Sequence, residues 1–199
     1  MLLAIDSATP ACSAALIDGG TVLAERHDVV GRGHAERLLP MIAELLGGAT
    51  PHAIVVDCGP GSFTGVRVGL AAAHGLAIGW GVSVAGYSSM AAVAAASGAE
   101  AVAVALEAGH GELFVQSFGG DPIAPLDALR SLAPHAAAAE VGTDLVVGSA
   151  AEALVVARGY GEWRHALPRA ADVRLLPEAL RLLPARPLYG RGPDARPMS

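Results

Sequence analysis

Apolar residues fall along this chain in short runs whose period changes. Leu2–Ile5 is a brief apolar run ending at Asp6, and Cys12–Ile17 (CSAALI) and Thr21–Ala24 (TVLA) follow it. Asp18-Gly19-Gly20 between the last two is a hairpin signal. The pattern predicts three consecutive antiparallel strands. From Ala35 to Leu46 the spacing becomes helical: Leu38, Leu39, Met41, Ile42, Leu45 and Leu46 share a face, and Gly47-Gly48 stops the run. Pro40 lies inside it, where a proline costs about 3 kcal/mol or bends the helix. Ala53–Cys58 (AIVVDC) is a continuous β-branched run and predicts a buried strand. It feeds into Gly59-Pro60-Gly61-Ser62, with Ser62 as N-cap of a helix over Phe63–Ile78. Val82–Ala85 predicts another strand, and Ser88 a helix over Met90–Ala96 closed by Gly98.

After Gly98 the pattern partly restarts. Ala101–Leu106 (AVAVAL) and Leu113–Phe118 (LFVQSF) flank Gly109-His110-Gly111, a second hairpin, and Gly119-Gly120-Asp121-Pro122 is a turn. Leu126–Leu132 is expected as a short helix, Leu145–Val147 as a strand, and Ala150–Ala157 and Val173–Leu183 as helices, with Pro177 weakening the last. Arg186–Ser199 is expected to be extended or loose. Two units that each open with a hairpin and continue into alternating helix and strand imply an internal duplication. The expected division is residues 1–98 and 99–199, the second unit being the more degenerate.

The Phe63–Ile78 helix carries a stripe of small residues at steps of four: Gly65, Gly69, Ala73 and Ala77. Each interior glycine costs nearly 1 kcal/mol against alanine. Such a stripe lets another backbone approach closely. The sequence does not say whether that backbone belongs to this chain or to a partner.

Composition narrows the chemistry. The 199 residues include 13 basic and 19 acidic ones, for a net charge of -6, and every basic residue is arginine. Without lysine there is no Walker A loop, no Schiff base and no kinase Lys–Glu pair. An acidic chain is a poor holder of nucleic acid on its own. Cys12 and Cys58 lie in apolar runs and suit buried thiols in a reducing compartment. No basic region precedes the first apolar run, so it reads as a strand and not a signal peptide. No apolar stretch is long enough to span a membrane.

Seven histidines are present, but no pair stands at i, i+4 on a helix and no Cys-x-x-Cys occurs, so no metal is expected. Ser62 lacks the spacing of a nucleophile elbow. Cys58 could be activated at a helix N-terminus, against the commoner reading of a buried thiol. Gly59, Gly61, Ser62 and Thr64 form a strand–turn–helix junction of the kind that offers amides to phosphate. Against this, the glycine spacing is not the dinucleotide fingerprint, and Pro60 removes one amide. The competing reading is that the glycines only make the turn and allow tight packing. Asp6, at a strand end, suits either a hydrated metal or an Asx-turn.

Three blocks together resemble one known family: LLAIDSATPACSAAL at the start, HAERLLPMI over His34–Ile42, and GPGSFTGVRVGLAAAHGLA over Gly59–Ala77. They are similar to the TsaB family, also called YeaZ. PLYGR at Pro187–Arg191 is similar to a Pro-x-Tyr-x-Arg element near the end of that family. The resemblance implies an actin-like ATPase (ASKHA) fold of two related α/β domains, in a cytoplasmic protein without cofactor. It implies a non-catalytic role in making N6-threonylcarbamoyladenosine in tRNA. The transferase would be the paralogue TsaD, partnered by this chain as a heterodimer. The ATPase TsaE would bind that pair, TsaC would supply threonylcarbamoyl-adenylate, and tRNA would be met only through the complex. A homodimer is expected when the chain is alone.

The resemblance also suggests a partner interface of His34, Leu38, Met41, Ile42, Leu45, Gly65, Val66, Gly69, Leu70, Ala73 and Ala77. TsaD-type paralogues place two metal-binding histidines at i, i+4, and here Leu38 follows His34 at that distance. Actin-like ATPases usually follow the first-strand Asp with Gly-Thr, and here Ser7-Ala8-Thr9 follows Asp6. Relatives often have an arginine in the second hairpin, where Glu107–Glu112 has none. A stand-alone actin-like kinase or ATPase, and a homodimeric scaffold, are the rival readings.

Overall fold

A computed structural model describes residues 1–190. Its first sheet is built from β1 (Leu2–Asp6), β2 (Ala11–Asp18), β3 (Thr21–Val29), β4 (Ala53–Asp57) and β5 (Ser83–Tyr87). They lie in the order β3-β2-β1-β4-β5. The first three strands are antiparallel, as the Asp18-Gly19-Gly20 turn predicts, and β1, β4 and β5 run parallel. Between them come α1 (His34–Leu46), α2 (Phe63–Trp80) and α3 (Ser89–Ser97). Ser62 and Ser88 cap α2 and α3 by accepting from the amides of Gly65 and Met90. Pro40 leaves α1 unbroken. It sits on the exposed side, where the unbonded Glu36 carbonyl can be hydrated.

The second sheet repeats the first. Its strands are β6 (Ala101–Gly109), β7 (Glu112–Gly119), β8 (Ala124–Pro125), β9 (Arg130–Leu132), β10 (Leu145–Val147) and β11 (Glu162–Arg164), ordered β11-β10-β6-β7-β8, with β9 also on β7. Read from its own first strand, β6, the arrangement is again hairpin partner, first strand, then two parallel neighbours. Helices α4 (Pro134–Glu140) and α5 (Ala151–Arg158) cover its outer face.

The layers follow from side-chain pattern. One core lies between sheet one and α1 and α2, centred on Leu3, Ile5, Leu38, Met41 and Val56. A second lies between the two sheets and contains α3, with Met90 and Val93 in one buried cluster with Val55 of the first sheet and Val104 and Phe118 of the second. Alanine fills most of the rest of α3, so both sheets approach a helix that is buried from Ser89 to Ala94. A third core lies under α4 and α5.

Two expectations need correction, and one helix had no signal in the apolar pattern. Leu126–Leu132 is not a helix: Arg130–Leu132 pairs with Val115, Phe114 and Leu113 of β7. Asp127 anchors this segment, its carboxylate accepting from the Ser117 amide at 2.8 Å. Val173–Leu183 is not one helix but a 3-10 turn (Ala170–Leu175) and the single turn α6 (Glu178–Arg181), divided at Pro177. Helix α4 carries no apolar period and forms from an alanine run with proline at its start.

The end of the described chain returns to sheet one. The Ala170 amide donates to Ser13, Arg169 pairs with Glu25 at 2.5 Å, and Leu183 bonds Gly86 in both directions. The Leu188 amide then donates to the Cys58 carbonyl at 2.8 Å. Residues 191–199, the end of the segment expected to be loose, with Arg191 and Arg196, lie outside the described residues.

Candidate functional site

The loop after β1 and the turn after β4 are locked together. Ser62 donates its amide to the Ala8 carbonyl at 2.6 Å, and Ser7 donates its hydroxyl to the Gly65 carbonyl at 2.9 Å. A Cβ at Gly61 would fall on the Ala8 carbonyl, and one at Gly65 on that of Ser7. At Gly69 it would meet the Ser7 hydroxyl at 2.6 Å. The glycines of this motif therefore serve a close approach within the chain. The amides of Cys58, Gly59, Ser62 and Gly65 are bonded to Tyr87, Asp57, Ala8 and Ser62 respectively. Gly59 is buried, Gly61 and Ser62 line a cleft, and Thr64 is exposed.

Two carboxyls lie side by side at the ends of β1 and β4. Asp6 and Asp57 are fully buried. Asp57 accepts from the Ser89 hydroxyl at 2.6 and 2.8 Å and from the Gly59 amide at 2.7 Å. Asp6 accepts from the Ala8 amide, and its other oxygen has no conventional donor among the described residues. Burial pushes Asp57 up to about 6, its hydrogen bonds holding it from going higher. Burial, and then the charge of Asp57, push Asp6 up further still. Both carboxyls being raised, the pair retains a proton more readily than isolated aspartates do. Tyr87 closes the cluster by donating its hydroxyl to the Ile5 carbonyl at 3.2 Å. Among the described residues no three His, Cys, Asp or Glu side chains gather as a metal site. Burial also raises the Cys12 and Cys58 thiols to about 11, so neither is a thiolate at neutral pH.

Between the sheets opens a cleft of about 1060 Å³. Its walls include the Ala8–Pro10 loop, Gly61–Phe63, the second hairpin from Glu107 to His110, and Pro187–Gly190. Arg32, Arg67 and His110 are its basic groups and Glu107 its acidic one. The sequence marked the glycine turn, the first loop, the second hairpin and the Pro187–Arg191 element separately, without showing that they meet. Phe63 and Tyr189 are far apart in the chain, and only the returning C-terminal segment joins them.

The residues expected to meet a partner face inward. His34 bonds the Thr9 and Ala11 carbonyls, which fixes the start of α1 to the first loop. Leu38, Met41, Ile42 and Leu45 of α1, and Val66, Leu70, Ala73 and Ala77 of α2, are buried in the chain's own core. The outward face of α2 is a different set. Ala71, Gly75 and Gly79 are exposed, and nothing lies within 4 Å of a Cβ built at either glycine. Ile78 beside them is 84% exposed, and Leu39 of α1 is 50% exposed.

Comparison with known proteins agrees with this architecture. A family model described as "TsaD: tRNA N6-adenosine threonylcarbamoyltransferase" matches residues 26–141. The TsaB protein of Escherichia coli is 38% identical over 129 residues, covering 60% of this chain and 55% of that protein. The aligned region thus spans about half of that relative. An uncharacterized Mycobacterium bovis protein is 33% identical across the whole of this chain and 95% of its own length. The solved structure of YeaZ from Pseudomonas aeruginosa superposes with a TM-score of 0.78 at 30% identity, covering 94% of this chain and 98% of that one. The fold is accordingly the two-sheet α/β architecture of YeaZ. No helix among the described residues is long and apolar enough to cross a membrane. With blocks of its sequence, its duplicated sheet order and its near full-length superposition all in agreement, the chain belongs to the TsaB/YeaZ family.

Proposed function

We propose that this chain is a non-catalytic subunit in the formation of N6-threonylcarbamoyladenosine in tRNA, acting as the heterodimeric partner of a TsaD transferase. The observation that carries this reading is the outward face of α2. Between Arg67 and the end of the helix it bears no formal charge, and it exposes Ala71, Gly75, Ile78 and Gly79. Two interior glycines with open space around them cost helix stability and serve no contact in the chain. They suit a partner helix that approaches closely, with Ile78 and Leu39 supplying apolar area. The non-catalytic assignment draws on particular residues. His34 is committed to backbone carbonyls, Leu38 stands where a second ligand would be, and the Asp6–Asp57 pair is sealed from solvent. TsaE would bind the assembled pair, and the same α2 face would support a homodimer when TsaD is absent.

The test is co-purification with TsaD. Ile78→Glu places a charge at the centre of the face without entering the core, so the monomer should keep its unfolding midpoint while TsaD is lost from the pull-down. An unchanged pull-down would remove this face from the interface.

A further inference from the structure

We propose that the mouth of the cleft between the sheets binds a nucleotide unit of single-stranded RNA, its base stacked on the Phe63–Tyr189 pair and its phosphate held by Arg67 and Arg32. The proposal rests on the tRNA pathway assigned above, which makes RNA the macromolecule at hand. The rings of Phe63 and Tyr189 stack with centroids 6.3 Å apart and an interplanar angle of 29°. Both are nevertheless 59% exposed. The Arg67 guanidinium carbon lies 3.4 Å over the Phe63 ring, and one of its amines donates to the Tyr189 hydroxyl at 3.4 Å. An exposed pile of two rings and a guanidinium is a stacking platform that tolerates any base.

The charge pattern is local. The chain has a net charge of -6, yet Arg32, Arg67 and His110 line this cleft against Glu107 alone. Arg37, Arg130 and Arg169 are paired with carboxylates, whereas among the described residues neither Arg32 nor Arg67 is. Two features favour a strand over a free nucleotide. The stack lies at the open edge, where a chain can enter and leave. The Gly59–Ser62 turn has its Gly59 and Ser62 amides committed within the chain and Pro60 offers none, which leaves it few amides for a polyphosphate. An acidic protein with so few cationic contacts binds RNA weakly by itself, so this contact would orient RNA already held by a larger assembly.

The test uses the full chain and a fluorescein-labelled, mixed-sequence single-stranded RNA of about ten nucleotides, read by anisotropy at low salt. The parent should bind. Tyr189→Leu should weaken binding about tenfold. Arg32→Gln should weaken it and make the salt dependence shallower. No binding by the parent, or both variants binding as the parent does, overturns the proposal. ATP or AMP binding more tightly than the RNA also overturns it, and assigns the cleft to a free nucleotide. The same variants are scored for TsaD co-purification. Retained TsaD with lost RNA isolates this site, while a parent that never captures TsaD counts against the partner reading alone.

Discussion

Asp6 and Asp57 show how much a residue's meaning depends on its neighbours. At a strand end Asp6 suits a ligand or a turn-former; in the fold it lies buried with Asp57, and both carboxyls are raised. Both carboxyls are raised above the ordinary 3.8, so the folded state keeps protons that the unfolded chain releases. Stability is therefore greatest at the acid end of this window. It falls as pH rises from about 4 through about 6, where Asp57 ionises, and goes on falling until Asp6 does. Tyr87, Asp172 and Cys58 surround the pair and add no compensating cation. Asp6→Asn keeps the shape while removing the titrating proton. Its urea midpoint should fall less between pH 5 and pH 8 than that of the parent. A parent whose midpoint rises over that range would contradict the raised carboxyls. The sequence exposed both aspartates but not their adjacency, which comes from β1 and β4 lying parallel side by side.

At the scale of the element, α2 carries two stripes of small residues with opposite uses. Its boundaries and Ser62 cap are legible from the sequence alone, as is the inner stripe Gly65, Gly69, Ala73 and Ala77. Which way that stripe points is not, because Thr64, Arg67 and His74 are the helix's few polar side chains and most of its outward face is as small and apolar as the inner one. Paired substitutions separate the stripes. Gly65→Ala should destabilise by about 3 kcal/mol, since its Cβ would meet a backbone carbonyl that cannot move aside. Gly75→Ala should stabilise by up to about 1 kcal/mol, because its Cβ enters open space in a helix interior. Urea denaturation of the two variants checks both signs. Equal effects would mean the helix is rotated from the orientation described. The failed helix at Leu126–Leu132 has the converse lesson. Its local pattern was ambiguous, and pairing with β7 decided it.

For the whole molecule, the central feature is a core shared by both sheets. Helix α3 and the 3-10 turn at Ala170–Leu175 lie in that core, so neither sheet keeps its inner face dry if the other unfolds. The two tryptophans report on the halves separately: Trp80 ends α2 and Trp163 lies on β11. Single-tryptophan variants, Trp163→Phe and Trp80→Phe, should therefore melt in denaturant with coincident midpoints. Separated midpoints would show that the sheets unfold independently. By itself the sequence determined nearly all elements of the first half, the second hairpin and the family. Capping residues, hairpin glycines and apolar periods act over a few residues, and long motif blocks are specific. Tertiary structure alone decided which faces are inner and outer, that two distant aspartates are buried at neighbouring strand ends, and that Tyr189 returns to Phe63 across the cleft. Those facts depend on contacts between segments far apart in the chain, and no local pattern of side chains encodes them.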